Sequence, residues 1–127
     1  MLRVQAIERE TASILVDAAR GWREARDEGC DVQPRLCAIL SAHRCEMLTP
    51  ALSSLMHFYE AGLGRPIVIG GEALSGDEHL LLQLIEGSRS RAACGTYSSE
   101  LGAAFDCAIC SARIMLAMLL EDVRRLH

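Results

Sequence analysis

The sequence contains no lysine and no asparagine, although it has 127 residues and thirteen of them are arginine. A Schiff base and a P-loop both need a lysine, and a Cys-His-Asn triad or an N-glycosylation site needs an asparagine. We therefore exclude these chemistries. Aromatic residues make up only 4% of the chain, which disfavours an aromatic-lined cofactor pocket. We expect no cofactor.

The chain also lacks an excess of positive charge. Its thirteen arginines stand against seventeen acidic residues, which gives a net charge of -4 and a pI of about 5.5. A broad basic field is what attracts a protein to nucleic acid. We therefore expect no nucleic-acid partner.

Long apolar targeting segments are missing as well. Charged Glu8, Arg9 and Glu10 follow the start of the chain where a secretory signal would have an apolar run. The longest uncharged stretch that we single out, residues 47–59, is shorter than the ~20 apolar residues of a membrane-spanning helix. We expect a cytoplasmic protein with no membrane segment. In that reducing compartment most of the six cysteines are predicted to be buried thiols.

The residues that are present indicate helices. Half of the chain is apolar, and apolar side chains recur at helical spacing in a first segment that is predicted to end at Gly29. A second helix is predicted from about Pro34 to about Leu48. Thr49 and Pro50 either begin a third helix or kink one long helix, and we favour the break. The prediction is a mainly α-helical bundle of about five helices in one domain, residues 1–127.

One short strand is predicted at residues 66–70, where a β-branched run is bounded by glycines. A lone strand has unpaired backbone groups, so it must pair with another segment. Residues 92–97 or the same strand of a second subunit are the candidates. Directly afterwards, Ser75 and Glu78 have the spacing of a capping box and predict the start of the next helix.

The last helix is predicted to begin at Ser98 or Ser99 and is apolar on nearly every side. Between Cys107 and Leu120 its only charge is Arg113. Its apolar seam comprises Leu101, Phe105, Ala108, Ala112, Met115, Leu119 and Leu126, with Ile109, Leu116 and Leu120 beside it. Such a helix is either central in a bundle or shared with a partner chain. We therefore expect a homodimer formed through this helix or through the strand.

Cys107 and Cys110 have the CxxC spacing of thiol redox and metal-binding motifs. In a helix that begins at Ser98 or Ser99, Cys107 lies more than two turns inside, where burial disfavours its thiolate. The two residues are therefore predicted to be buried packing thiols. A helix that instead begins with Asp106 as its N-cap would favour redox chemistry.

Two histidine–glutamate pairs, His43 with Glu46 and His57 with Glu60, have i, i+3 spacing and would each share a helix face. A metal-binding or general-base role is one hypothesis for these four residues. Di-iron bundles, however, use the reverse order, Glu-x-x-His, with further carboxylates. Ordinary surface hydrogen bonds are the simpler interpretation, and no metal site is assigned to them.

From about Ala38 onward the order of features resembles a family of small alphaproteobacterial helical proteins with no established activity. The resemblance is carried by residues 65–69 (Arg-Pro-Ile-Val-Ile), residues 75–78 (Ser-Gly-Asp-Glu) and residues 111–113 (Ser-Ala-Arg). Members of this family carry a cysteine cluster after the strand, where this chain has residues 70–73 (Gly-Gly-Glu-Ala). A thiol site at that position therefore does not transfer.

The predicted function is that of a small non-enzymatic interaction or regulatory protein acting as a homodimer. The sequence has apolar helix faces and no convergent set of catalytic side chains. One alternative is a thiol-based redox or metal-binding protein using Cys107 and Cys110. Another is a small-molecule-binding helical protein with a pocket near His43, His57 and Glu60.

Overall fold

The helical patterns of the sequence form five α-helices. The computed structural model describes the backbone of residues 2–125 and the side chains of residues 9–92 and 94–121. Leu126, which the predicted seam includes, lies outside the described residues. The helices are α1 Leu2–Asp27, α2 Val32–Ala42, α3 Thr49–Leu63, α4 Gly76–Glu86 and α5 Ser99–Arg125, with single 3₁₀ turns at Glu46–Leu48 and Arg91–Ala93. The prediction of a mainly α-helical fold is confirmed.

Most helix ends lie where local signals predict them. Gly64 and Gly87 follow α3 and α4 with φ of 69° and 86°, a left-handed conformation that favours glycine. At the start of α4, Ser75 and Glu78 form the predicted capping box. The Ser98 hydroxyl accepts the Leu101 N–H at 3.2 Å and so caps α5.

The second helix ends earlier than predicted. It stops at Ala42 rather than near Leu48, and Arg44 takes a φ of 60°. The Cys45 N–H then donates to the Leu40 carbonyl at 2.8 Å, which closes a tight turn. This turn carries Leu48 into the core. The predicted break at Pro50 is confirmed, because Pro50 lies in the first turn of α3, where its missing N–H costs nothing.

The core forms around the antiparallel pair of α3 and α5. Phe105 on α5 lies edge-on to Tyr59 at 6.4 Å and stacks on Tyr97 at 5.1 Å. On the other side, α1 packs against α2 through Gly21, where a Cβ atom would lie 2.0 Å from Ile39 Cδ1. The fully buried large side chains are Tyr59, Phe105, Ile14, Leu15, Leu36, Leu40, Leu48, Leu52, Leu55, Met56, Ile67 and Leu81.

The predicted strand at residues 66–70 is not formed. The segment is extended, but within residues 2–125 no strand or backbone ladder is present. Instead, Arg23 of α1 donates to the Ile67 carbonyl at 3.0 Å, and acidic side chains of α3 and α4 accept the N–H groups of the segment. A β-branched run favours the extended conformation, but it does not determine what the backbone pairs with.

Candidate functional site

Three buried carboxylates take the place of a neighbouring strand. Glu60 accepts the Ile67 N–H at 2.8 Å, Asp77 accepts the Val68 N–H at 2.7 Å, and Glu78 accepts the Gly70 N–H at 3.1 Å. The carboxylates come from the end of α3 and the first turn of α4. The segment is therefore held by side chains. We call the three carboxylates, together with the groups that bind them, the carboxylate network.

Each carboxylate of the network also has an arginine partner. Arg20 of α1 binds Glu78 at 2.8 Å, and Arg26 of α1 binds Glu60 at 2.6 Å. The third pair joins Arg65 to Asp77 at 2.7 Å. Buried charges need such pairing because an isolated ion in the interior is strongly disfavoured.

Neutral donors complete the network. The Tyr59 hydroxyl donates to Asp77 at 2.8 Å, and the Trp22 indole N–H donates to Glu60 at 3.1 Å. Among the described side chains, no buried nitrogen or oxygen lacks a hydrogen-bond partner. The network is therefore saturated, and its acceptors are occupied by the fold rather than open to a ligand.

The network keeps Asp77 and Glu78 ionised. Burial by itself would raise the pKa of Asp77, but hydrogen bonds from Arg65, the Val68 N–H and Tyr59 outweigh it and lower that pKa. The pKa of Glu78 is lowered in the same way: Arg20 and backbone N–H groups outweigh burial. For the Tyr59 hydroxyl, burial and the neighbouring Asp77 carboxylate raise the pKa. None of these groups is set up to exchange a proton near neutral pH.

The structure separates the two histidine–glutamate pairs. His43 follows the end of α2 and contacts Asp17 at 2.8 Å, while Glu46 begins the next 3₁₀ turn and is exposed. Glu60 is buried in the carboxylate network, whereas His57 is exposed and packs edge-on against Phe58. Neither pair forms the predicted hydrogen bond, because the early end of α2 and the burial of Glu60 separate the partners.

A pocket joining His43, His57 and Glu60 is not formed by the described residues. His57 and Glu60 line one depression of about 310 Å³ together with Arg26 and Arg65. His43 lines a different depression of about 370 Å³, beside α1. Within the described residues, no three His, Cys, Asp or Glu side chains are grouped as metal ligands.

The prediction of mostly buried cysteines is wrong for four of the six. Cys30, Cys37, Cys107 and Cys110 are exposed, and only Cys45 and Cys94 are buried. Burial raises the pKa of Cys94 to about 11. Cys107 lies well inside α5, which begins at Ser99, so Asp106 is not an N-cap. Both α5 thiols are exposed because they lie on the side of the helix that points away from the core.

One side of α5 presents apolar side chains to solvent. Ile109, Leu116 and Leu120 are buried, but Ile114 is 55% exposed and Met118 is 62% exposed. Cys107 and Ser111 lie on the same side of the helix and are exposed. We call these four exposed residues, Cys107, Ser111, Ile114 and Met118, the outer face of α5.

A shallow groove of about 400 Å³ runs between α3 and the outer face of α5. Pro50, Ala51 and Phe58 line one side, and Ala104, Cys107, Ala108 and Ser111 line the other. The groove continues the apolar surface of the outer face toward α3.

On the opposite flank of α5 lies a cationic depression of about 340 Å³. Arg89 and Arg91 reach it from the loop after α4, and Arg113 and Cys110 reach it from α5, with Asp106 at its edge. We call these five residues the arginine pocket. Its lining includes an exposed thiol and three arginine side chains.

Among the residues that the structure describes, one helix is long and apolar enough to cross a membrane: α5, over Ser99–Glu121. The expectation of no membrane segment is based on residues 47–59 and does not take this helix into account. Core helices of globular proteins have the same length and composition, and α5 packs into the bundle through Phe105 and Ala112. The absence of a membrane partner stays a prediction.

Sequence reasoning missed the roles of Asp77 and Glu78 as buried anions. The capping-box pattern marks Glu78 as a helix-start residue, and it bonds the Ser75 N–H at 2.8 Å as that pattern requires. Its second role, with Arg20 and Gly70, depends on residues 58 and 8 positions away in the chain. No local pattern could have indicated the arginine.

No protein-family model matches this chain. Searches of curated proteins and of solved structures also find no significant similarity. The resemblance to the alphaproteobacterial family therefore stays a prediction.

Proposed function

We propose that this chain is a small non-enzymatic interaction protein that acts as a cytoplasmic homodimer, with the outer face of α5 as its interface. The observation that carries the proposal is the exposure of Ile114 and Met118 on a helix face with no free charge from Cys107 to Met118. Arg113, the only charge in that stretch, turns away and donates to the Leu84 and Ile85 carbonyls. Charge is depleted and methionine enriched at the centres of protein interfaces.

A second copy is the partner that this face fits. Small Cys107 and Ser111 occupy its first half, and large Ile114 and Met118 occupy its second half. In an antiparallel α5 pair with its twofold axis between Ser111 and Ile114, each large side chain meets a small one of the other copy. Met118 lies opposite Cys107 of the partner subunit, and Ile114 lies opposite Ser111 of the partner subunit. Symmetric pairs use one self-complementary surface in this way.

Met47 extends the same surface. Pro50 and Ala51, at the start of α3, line the groove opposite α5. Met47 lies just before them in the chain and is 68% exposed. The 3₁₀ turn that carries Met47 does contact α5. The interface then comprises two helices of each chain rather than a single helix face.

The polar parts of the molecule support a non-enzymatic role inside the cell. The acidic side chains of the carboxylate network are fully engaged in holding residues 66–70, so they do not act as acids or bases. Four exposed free cysteines suit a reducing compartment, since exposed thiols oxidise outside the cell.

The test introduces a charge at the proposed interface. Ile114→Arg is compared with Val68→Arg, because both side chains are about half exposed, at 55% and 53%, and only Ile114 lies on the outer face. Light scattering after gel filtration is expected to give a two-chain mass for the unaltered protein and for Val68→Arg. Near the twofold axis the arginines of both copies would be buried without partners, so Ile114→Arg should weaken association by about a hundredfold, or about 2.7 kcal/mol.

Two results would overturn the homodimer. One is a single-chain mass for the unaltered protein at micromolar concentration. The other is equal dissociation of both variants, which would place the interface elsewhere. Circular dichroism on each variant checks that the helices remain.

A thiol-based protein is the second candidate, favoured by the exposure of Cys107 and Cys110 one turn apart on α5. Two ligands are fewer than the three or four that zinc sites take from protein, so redox chemistry is the better supported form. Mild oxidation is expected to join the two sulfurs within one chain, detected as a mass loss of two hydrogens in the peptide containing both. Under the homodimer proposal, Cys107 is covered and this disulfide does not form.

A further inference from the structure

The arginine pocket has a local charge opposite to that of the whole chain. The net charge is -4, yet among the described residues that line this pocket three arginines face one carboxylate, that of Asp106. Elsewhere Arg20, Arg26 and Arg65 are each matched to a buried acid. Within the described side chains, none of the three arginines of this pocket is paired with a buried acid.

The guanidinium groups of the pocket have donors to spare. The Arg89 side chain makes no hydrogen bond or ion pair with the described residues. Arg91 binds Asp106 at 3.0 Å through Nε, in a solvent-exposed pair of the kind that contributes little. Arg113 is fixed by two carbonyls at the end of α4, at 2.7 and 2.9 Å, and it lines a neighbouring depression together with Glu86.

Carboxylates are among the anions that guanidinium groups bind through two parallel N–H···O bonds. The remaining polar group in the lining is the exposed Cys110 thiol. A thiolate reacts with disulfides, so a ligand that carries both carboxylates and a disulfide matches every group in the pocket. A neutral disulfide would match only the thiol.

We propose that the arginine pocket binds small disulfides that carry carboxylates and delivers them to Cys110, which forms a mixed disulfide with them. This inference deepens the thiol-based candidate and rests on the accessibility of Cys110. The pocket lies on the α4 flank of α5, and the groove beside the outer face lies toward α3.

The reaction is one thiol–disulfide exchange. Cys110 loses its proton to solvent, and its Sγ attacks one sulfur of the ligand disulfide. The ligand S–S bond breaks as the Sγ–S bond forms, and the departing sulfur leaves as a thiolate that takes up a proton. Cys110 is oxidised, one half of the ligand is reduced to a thiol, and no other oxidant is needed.

The test compares an anionic and a neutral aromatic disulfide, dithiobis-nitrobenzoate and dithiodipyridine, on the reduced full-length protein. Mass spectrometry of quenched digests gives the rate at each cysteine. The rate with the anionic reagent is divided by the rate with the neutral one, first at Cys110 and then at Cys37. The first quotient divided by the second is the preference of Cys110 for the anionic reagent. Cys37 serves as the control because it is an exposed thiol on α2 whose neighbour Arg35 is paired with Glu28. We expect about a tenfold preference at low salt. It should approach one at about 1 M salt, where charges are screened within about 3 Å.

A matched pair of variants assigns the preference to the pocket. Arg89→Gln removes the unpaired guanidinium and is expected to lower the preference at Cys110 by about threefold or more. Arg44→Gln removes the same charge from the exposed turn after α2 and should leave the preference unchanged. Equal loss in both variants would mean that overall charge, not the pocket, steers the reagent, and would overturn the proposal.

The remaining outcomes separate this inference from the candidate on which it rests. If Cys110 reacts with both disulfides and its preference for the anionic reagent is one at low salt, the anion pocket is overturned. The thiol-based candidate then stands, because the thiol is accessible. Cys110 that reacts with neither overturns the pocket and the thiol-based candidate together. Reaction of Cys110 with the neutral reagent only in urea would also overturn both, because the thiol would then be inaccessible in the folded chain.

Discussion

The outer face of α5 is apolar yet exposed, whereas the carboxylate network around residues 66–70 is charged yet buried. In the network, Asp77 and Glu78 are 6% and 1% exposed, and arginines and N–H groups of the same chain compensate them. On the outer face, nothing in the described part of the chain covers Ile114 and Met118. The buried charges are complete within one chain, and the exposed apolar face is not. The chain compensates its buried charges locally, whereas the uncovered apolar face is the feature on which the homodimer proposal rests.

The largest expected effect comes from disrupting the network. Glu78→Gln turns one carboxylate oxygen into an NH₂ donor, although that group now accepts from Arg20, Gly70 and Ser75. A donor facing donors in a buried site is expected to lower the free energy of unfolding by about 3 kcal/mol, measured by urea denaturation. The control is Asp27→Asn, which removes an exposed pair with Arg23 and should cost less than about 0.5 kcal/mol. Equal losses of unfolding free energy in Glu78→Gln and Asp27→Asn would show that burial does not strengthen the contribution of the carboxylate.

Acid should weaken the same region next. The pKa values of Asp77 and Glu78 are lowered in the folded chain, so folding is favoured when both acids are ionised. That contribution is fully present above the unfolded values of about 4, and it is lost as the pH falls through the lower folded values. Urea denaturation at about pH 7 and about pH 3 should show a smaller loss for Glu78→Gln than for the unaltered protein. An equal loss of unfolding free energy in both proteins between these pH values would contradict the assignment of acid sensitivity to Glu78.

A smaller effect is expected from the neutral part of the network. Tyr59→Phe removes the hydroxyl that donates to Asp77 at 2.8 Å but leaves the two Arg65 bonds to that carboxylate. The ring and its packing against Phe105 are retained. We expect a loss of about 1 kcal/mol in the free energy of unfolding. A loss as large as that of Glu78→Gln would mean that the hydroxyl, rather than the ion pair, holds the site.

The smallest effect is expected on the outer face of α5. Met118→Gln changes a side chain that is 62% exposed in one chain, so the unfolding free energy at concentrations below the dimer dissociation constant should change by less than about 0.5 kcal/mol. At higher concentrations the same variant should be less stable than the unaltered protein, since dimerisation adds stability only to chains that associate. Urea denaturation over a concentration series measures both.

Local patterns predicted the helices and most of their ends. The positive φ at Gly64 and Gly87 and the capping box at Ser75 depend on residues within a few positions, so the sequence carries them directly. The extended conformation of residues 66–70 was also predictable from its β-branched residues. Its hydrogen-bond partners were not, because they come from three separate helices.

Sequence patterning could not tell the two sides of α5 apart. Apolar residues occur nearly all around the helix, so the pattern has no polar side to turn outward. The structure turns Ile109 and Leu120 inward and leaves Ile114, Met118 and both CxxC thiols outside. The prediction of buried Cys107 and Cys110 is wrong for this reason. The candidate site residues His43 and Glu46 were separated by a turn that only the burial of Leu48 explains.

By itself the amino-acid order determined where most of the helices begin and end and that the chain would be rich in helix, because capping, glycine conformation and apolar periodicity act over one or two turns. Tertiary structure alone decided which acids became buried anions, which face of α5 stayed uncovered, and which arginines gathered around Cys110. Those outcomes depend on contacts between residues tens of positions apart, such as Arg20 with Glu78, and distance in the chain carries no local signal.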